Sequence, residues 1–184
     1  MAETSSICKF GWKAQEFALK GVDGKTWRFV DVRGKRGTLV IFLSNTCPYV
    51  RAVVIRIAEE ARALQQIGIG VIGIMSNLGD PRDSFDAMKE FAQAQGFCFP
   101  YVEDIAQDVA RAYDAQCTPD FFGFNANDEL QYRGRLDASR RELIPNARRD
   151  LFEAMKQIAE TGKGPAEQIA SMGCGIKWKE SEGV

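Results

Sequence analysis

Hydrophobic and polar positions alternate with different periods along this chain, and the switches between periods mark its elements. Thr38–Leu43, TLVIFL, is a continuous apolar run after the Gly-rich turn RGKRG, as expected of a strand covered on both faces. After Cys47 the period changes. Val50, Val53, Val54, Ile57, Ala58, Ala61 and Leu64 recur at helical spacing until Gly68 and Gly70 end the pattern, which predicts a long amphipathic helix. GVIGIMS is then a second buried strand. PRDSFDAMKEFAQAQG gathers Phe85, Met88, Phe91 and Ala92 on one face and stops at Gly96, a second helix.

The flanks read similarly. Upstream, FALKGVDGKTWRFVDV predicts two short strands around Asp23-Gly24, an edge hairpin. Downstream come a short extended piece, FPYV, and a short helix, AQDVARAY. FFGF and ELQYRGR then form a hairpin around NAND, and a last helix runs from about Asn146 to Glu160. The order predicts an α/β layered fold with a partly parallel sheet. A chain of 184 residues is expected to make one domain, 1–184, with its core over about 13–160 and a tail over 161–184.

Composition narrows the chemistry. With 24 basic and 25 acidic residues the net charge is -1, which gives no reason to expect nucleic acid or an anionic membrane as partner. The start, MAETSSICKFGWKAQEF, has no apolar run with a cleavage site, so the expected location is cytoplasmic. Five cysteines at irregular spacing in a reducing compartment argue against a disulfide framework, and none has zinc-binding C-x-x-C spacing, so no metal is expected. Histidine is absent, which removes every Ser-His, Cys-His and His-metal site at once. A nucleophile here must be activated in another way.

Cys47-Pro48 offers that way. Proline is favoured at the first helical position, where its missing N–H would be unsatisfied in any case, so Cys47 falls at the N-cap. A sulfur there faces unpaired backbone amides at the positive end of the helix, which favours thiolate over thiol. Arg51, one turn on, adds positive charge if it folds back. Burial of an inert Cys47 is the competing reading.

The stretches TLVIFLSNTCPYV, CTPDFFGFNANDELQYRGRLDASR and SMGCGIKWK resemble the peroxiredoxin-like branch of the thioredoxin superfamily, related to the alkyl hydroperoxide reductase and thiol-specific antioxidant group. The resemblance implies a thioredoxin-like fold with an N-terminal β-hairpin extension and a central mixed sheet flanked by helices. It places the reactive cysteine at Cys47. Ser44-Asn45-Thr46-Cys47 resembles the Thr/Ser-x-x-Cys of peroxiredoxins, and Cys47-Pro48-Tyr49-Val50 resembles a thioredoxin Cys-x-x-Cys that lacks its second cysteine. By analogy Ser44 is the hydroxyl that holds a peroxide, Thr46 caps the helix, and Arg133 or Arg135 supplies the cation. Val40 stands where typical peroxiredoxins have a proline.

Thr118-Pro119 resembles the cis-proline loop of the superfamily, which faces the reactive thiol and, with Pro48, borders a groove for an extended thiol substrate. Cys117 and Cys174 are the candidate resolving thiols, while Cys8 and Cys98 are expected in the core. The resulting expectation is a cofactor-free thiol oxidoreductase in which Cys47 attacks a small peroxide or a disulfide. A thioredoxin- or glutathione-type thiol supplies the electrons, and a homodimer is compatible with this. The alternative is a non-catalytic binding module with the same fold and an inert Cys47.

Overall fold

The computed structural model describes residues 1–180; the last four residues of the expected tail lie outside the described residues. In chain order the elements are β1 (Ala2–Thr4), β2 (Ala18–Gly21), β3 (Thr26–Arg28), α1 (Phe29–Val32), β4 (Gly37–Leu43), α2 (Pro48–Gln66) and β5 (Ile69–Met75). A 3₁₀ turn at Pro81–Asp83 leads to α3 (Phe85–Ala94), β6 (Tyr101–Glu103), α4 (Asp108–Ala112), β7 (Cys117–Thr118) and β8 (Asp120–Asn125). β9 (Leu130–Tyr132), α5 (Asp150–Thr161) and β10 (Met172–Gly175) complete the order.

A seven-stranded mixed sheet, ordered β3-β2-β6-β5-β4-β8-β9, is flanked by helices. β4 lies at its centre of pairing, parallel to β5 and antiparallel to β8, and all of its residues are buried. Because side chains alternate across a strand, Leu39, Ile41 and Leu43 join the core under α2 and α5. Val40 and Phe42 join a second, aromatic core with Phe29, Tyr113, Phe122 and Phe124. A strand with two buried faces has no use for polar residues, which is why TLVIFL reads as a continuous run. The thioredoxin-like architecture with its β2–β3 hairpin at one edge agrees with the sequence reading.

Four details differ. Only Thr26–Arg28 of the second hairpin strand is extended: Asp31 accepts the Arg28 backbone N–H (2.9 Å), closing a helical turn that buries Phe29 and Val32. β9 ends at Tyr132 because the Arg133 N–H leaves the ladder for the Gln168 side chain (2.8 Å). The last helix starts at Asp150 rather than near Asn146, whose positive φ of 54° lies outside the right-handed helical region. The glycine-rich tail, which carries no strand signal, forms β10 in a second sheet ordered β1-β10-β7.

No helix among the described residues is long and apolar enough to cross a membrane. Gly70 is required by close approach. A Cβ at Gly70 would run into the Val32 carbonyl oxygen, where the segment after α1 crosses β5. Gly70→Ala is therefore expected to lower stability by about 1–3 kcal/mol through overpacking, read as a lower urea midpoint with an unchanged m-value.

Candidate active site

The buried strand β4 delivers Ser44-Asn45-Thr46-Cys47 to the edge of the core, and Pro48 opens α2 directly afterwards, with Cys47 at the N-cap. The loop is held by a carboxylate that sequence reasoning did not single out. Buried Asp83 accepts the Asn45 backbone N–H (2.8 Å), the Ser44 hydroxyl (3.0 Å) and the Thr46 hydroxyl (3.0 Å). Asn45 in turn donates its amide to the Arg82 carbonyl (2.9 Å) and accepts the Tyr101 hydroxyl (2.9 Å). Burial, and then the Asp83 charge, push the Tyr101 phenol well above its ordinary pKa, so it serves as a donor. Arg51 does fold back, to the Asn45 carbonyl (3.2 Å). Nothing in PRDS marks Asp83 as the partner of a loop 38 residues earlier.

This geometry revises two expectations. Ser44 and Thr46 turn their hydroxyls to Asp83, and Thr46 does not cap α2. Nor do helix amides converge on the Cys47 sulfur, which has no side-chain cap hydrogen bond. Instead Cys47 Sγ donates to the Thr118 carbonyl oxygen (3.0 Å), and only 3% of the residue is exposed. Thr118-Pro119 is a cis peptide bond, and of the groove residues named from the sequence it is Thr118 whose carbonyl meets this sulfur.

The candidate cations lie elsewhere. Arg133 is buried, stacks 4.5 Å from the Phe122 ring centroid and donates to Asp120 (3.2 Å) and to the Asp114 carbonyl. Phe122 belongs to the aromatic core, across the sheet from Cys47. Arg135 borders a cleft with Tyr49, Pro119 and Met172, but donates to Asp150 (2.7 Å). Neither guanidinium is hydrogen-bonded to the Cys47 loop. Asp120, overlooked in the sequence, did leave a signal: it is a charge at the head of the apolar run FFGF. Burial raises its carboxyl pKa, opposed by Arg133 and by the Gln116 and Cys117 amides.

Three cysteines gather here. Cys117 is fully buried, its Sγ directed to the Pro119 carbonyl (3.6 Å), and its pKa is raised, first by burial and then by Asp120 and Cys47. Cys174 is half-buried on β10, directly opposite Thr118 in the antiparallel register. It packs against the core cluster that contains Cys47. Burial first, then the Cys47 side chain and its charge, raise its pKa to about 11, while the Tyr49 backbone amide pulls it down. Cys8 is half-buried against the aromatic core and Cys98 is exposed, contrary to the expected burial of the latter.

Residues 10–133, from ahead of β2 to the end of β9, match the model of the AhpC/TSA family. The chain belongs to the AhpC/TSA family. It is a member of the peroxiredoxin-like branch of the thioredoxin superfamily, with the thioredoxin-like fold of thiol–disulfide oxidoreductases. Among curated relatives of this AhpC/TSA protein, the thiol-disulfide oxidoreductase ResA of Geobacillus thermodenitrificans (strain NG80-2) is 26% identical over 121 residues. That match spans 66% of this chain and 66% of ResA, just under two thirds of each. An uncharacterized conserved protein from Geobacillus kaustophilus superposes with a TM-score of 0.93 at 38% identity, over 98% of both chains. A hypothetical protein from Sinorhizobium meliloti 1021 does so at 0.92 and 30%, over 98% of this chain and 100% of that one. A thiol:disulfide interchange protein from Chlorobium tepidum TLS, 17% identical with a TM-score of 0.63, covers 81% of this chain and 97% of its own and shares the fold.

Two predictions follow from this geometry. Asp83→Ala strands the donors of Ser44 and Asn45 without an acceptor and should cost about 1–3 kcal/mol or more, seen in urea unfolding; Asp83→Asn, which keeps an acceptor oxygen, should lose less. Cys8 and Cys174 both have folded pKa values of about 11 against an ordinary 9.0, so the folded protein holds these protons more tightly than the unfolded chain. Their contribution to stability is complete below pH 9 and is lost as pH rises toward 11. Urea midpoints measured across that window should fall, and fall less in the Cys8→Ser/Cys174→Ser double variant.

Proposed function

We propose that this protein is a thiol-dependent oxidoreductase in which the Cys47 sulfur reduces a small oxidant, a hydroperoxide, rather than the disulfide of an extended polypeptide. One observation carries the reading. The Thr118 edge, where an extended substrate strand would pair, is taken by the chain's own β10, which pairs Cys174 with Thr118 and Gly175 with Cys117. A polypeptide must displace that strand, whereas a hydroperoxide needs only to reach one sulfur.

In the reaction, the Cys47 thiolate attacks one peroxide oxygen. The S–O bond forms, the O–O bond breaks, the alcohol or water leaves with a proton, and Cys47 becomes a sulfenic acid. A thioredoxin- or glutathione-type thiol returns the electrons. No cofactor takes part in this scheme.

A second reading, exchange with a small disulfide of the glutathione kind, is favoured by a separate observation. The Ser44 hydroxyl and the Arg133 guanidinium, which would polarise a peroxide, are already bound to carboxylates. Stopped-flow consumption of hydrogen peroxide by the reduced protein, beside its reaction with oxidised glutathione, separates the two. We expect one peroxide consumed per chain and no consumption by Cys47→Ser. Faster oxidation by the disulfide than by the peroxide would favour the second reading. Indifference of Cys47 to both oxidants would leave a binding module.

A further inference from the structure

The non-catalytic face of the site is formed by a segment outside the family match, which ends at residue 133. β10 is clamped on both edges. β7 pairs with it on one side and β1 on the other, where Ala2 stands opposite Cys174. Flanking contacts add to the clamp: the Ser171 hydroxyl donates to the Pro119 carbonyl (2.6 Å), Ser5 N–H donates to the Ser171 carbonyl (2.9 Å), and the Ile176 N–H donates to the Gln116 carbonyl (3.2 Å). Gly173 is needed for the close seat, because a Cβ there would run into the Thr118 carbonyl oxygen. That carbonyl is the one that accepts the Cys47 thiol. One peptide group therefore aligns both the reactive sulfur and the strand that carries Cys174.

We propose that Cys174 is the resolving thiol, presented by β10 as a built-in substrate, so that oxidised Cys47 closes an intramolecular Cys47–Cys174 disulfide without Cys117. The proposal rests on Cys47 as the nucleophile. The Cys174 sulfur attacks the sulfenic sulfur of Cys47, the new S–S bond replaces the S–O bond, and the hydroxyl leaves as water with the Cys174 proton. An external dithiol then attacks the Cys174 sulfur, releasing Cys47 as thiolate. The donor's second thiol breaks the mixed disulfide, frees Cys174 and leaves the donor oxidised.

Exposure decides between the two candidate thiols. Cys117 is 0% and Cys47 3% exposed, so a bridge between them would be sealed from any reductant. Cys174 is half-buried and keeps a face toward solvent. Its rigid seating also makes ring closure local: the strand is already in register, so little chain entropy is lost when the bridge forms.

Full-length protein is treated with equimolar hydrogen peroxide and, separately, with diamide, then alkylated and mapped by non-reducing peptide mass spectrometry. Diamide makes a bridge between adjacent thiols without a sulfenic acid, so it tests the pair even where peroxide chemistry fails. We expect a Cys47–Cys174 peptide from wild type and from Cys117→Ser with both oxidants. In Cys174→Ser the bridge should vanish and peroxide should leave a dimedone-reactive sulfenic acid on Cys47. Gly173→Val, which unseats β10 while keeping every cysteine, should reduce the bridge strongly while Cys47 stays oxidisable.

A Cys47–Cys117 bridge in wild type, or no Cys47–Cys174 bridge with diamide, overturns the proposal. A bridge with diamide but no reaction with peroxide upholds the pair and rejects the hydroperoxide reading.

Discussion

The double burial of β4 is the constraint on which the rest depends. With Leu39, Ile41 and Leu43 under one layer of helices and Val40 and Phe42 under the other, the strand has no freedom to slip or tilt. A one-residue slip would exchange the two sets of side chains between cores of different shape. Its end is consequently a fixed point, and Cys47 lies four residues beyond Leu43. The parallel partner β5 and the antiparallel partner β8 inherit that position, and β8 follows Pro119 directly. The meeting of Cys47 with the Thr118 carbonyl is thus set by sheet register.

Polar chemistry then tunes what the sheet has placed. Asp83 gathers the donors of three consecutive loop residues, and this spares the buried loop the cost of unpaired groups. The same bonds turn the Ser44 and Thr46 hydroxyls to the carboxylate. Arg133 similarly pairs with a carboxylate at the foot of β8, offsetting part of a desolvation that still raises its pKa. Groups that resemble a peroxide-binding set by sequence are in this molecule bound to carboxylates, and the group that meets the Cys47 sulfur is the Thr118 carbonyl.

Much of this was legible beforehand. Helix α2 was legible because its apolar spacing, Pro48 at the start and the glycines at its end all agree. β4 and β5 were legible because a strand covered on both faces leaves an unbroken apolar run. The edge hairpin was legible from Asp23-Gly24, though Asp31 turned the far end of its second strand into helix α1. Strand β10 was not, since SMGCG carries neither alternation nor β-branched residues, and its pairing depends on two other segments, β1 and β7, far away in the chain. Asp83 was equally silent: its role depends on partners 37 to 39 residues away.

The sequence alone determined that a cysteine would stand at the N-cap position of a helix beyond the end of a buried strand and that no histidine would assist it. Proline's fixed φ and the periodicity of apolar side chains act over a few residues, so they can be read without knowing the fold. Which groups face that sulfur was decided only in three dimensions. A carbonyl rather than an amide, a second thiol from the far end of the chain, and carboxylates that occupy the nearby hydroxyls all arrive through long-range strand pairing and buried polar contacts, whose energies depend on neighbours that no local pattern specifies.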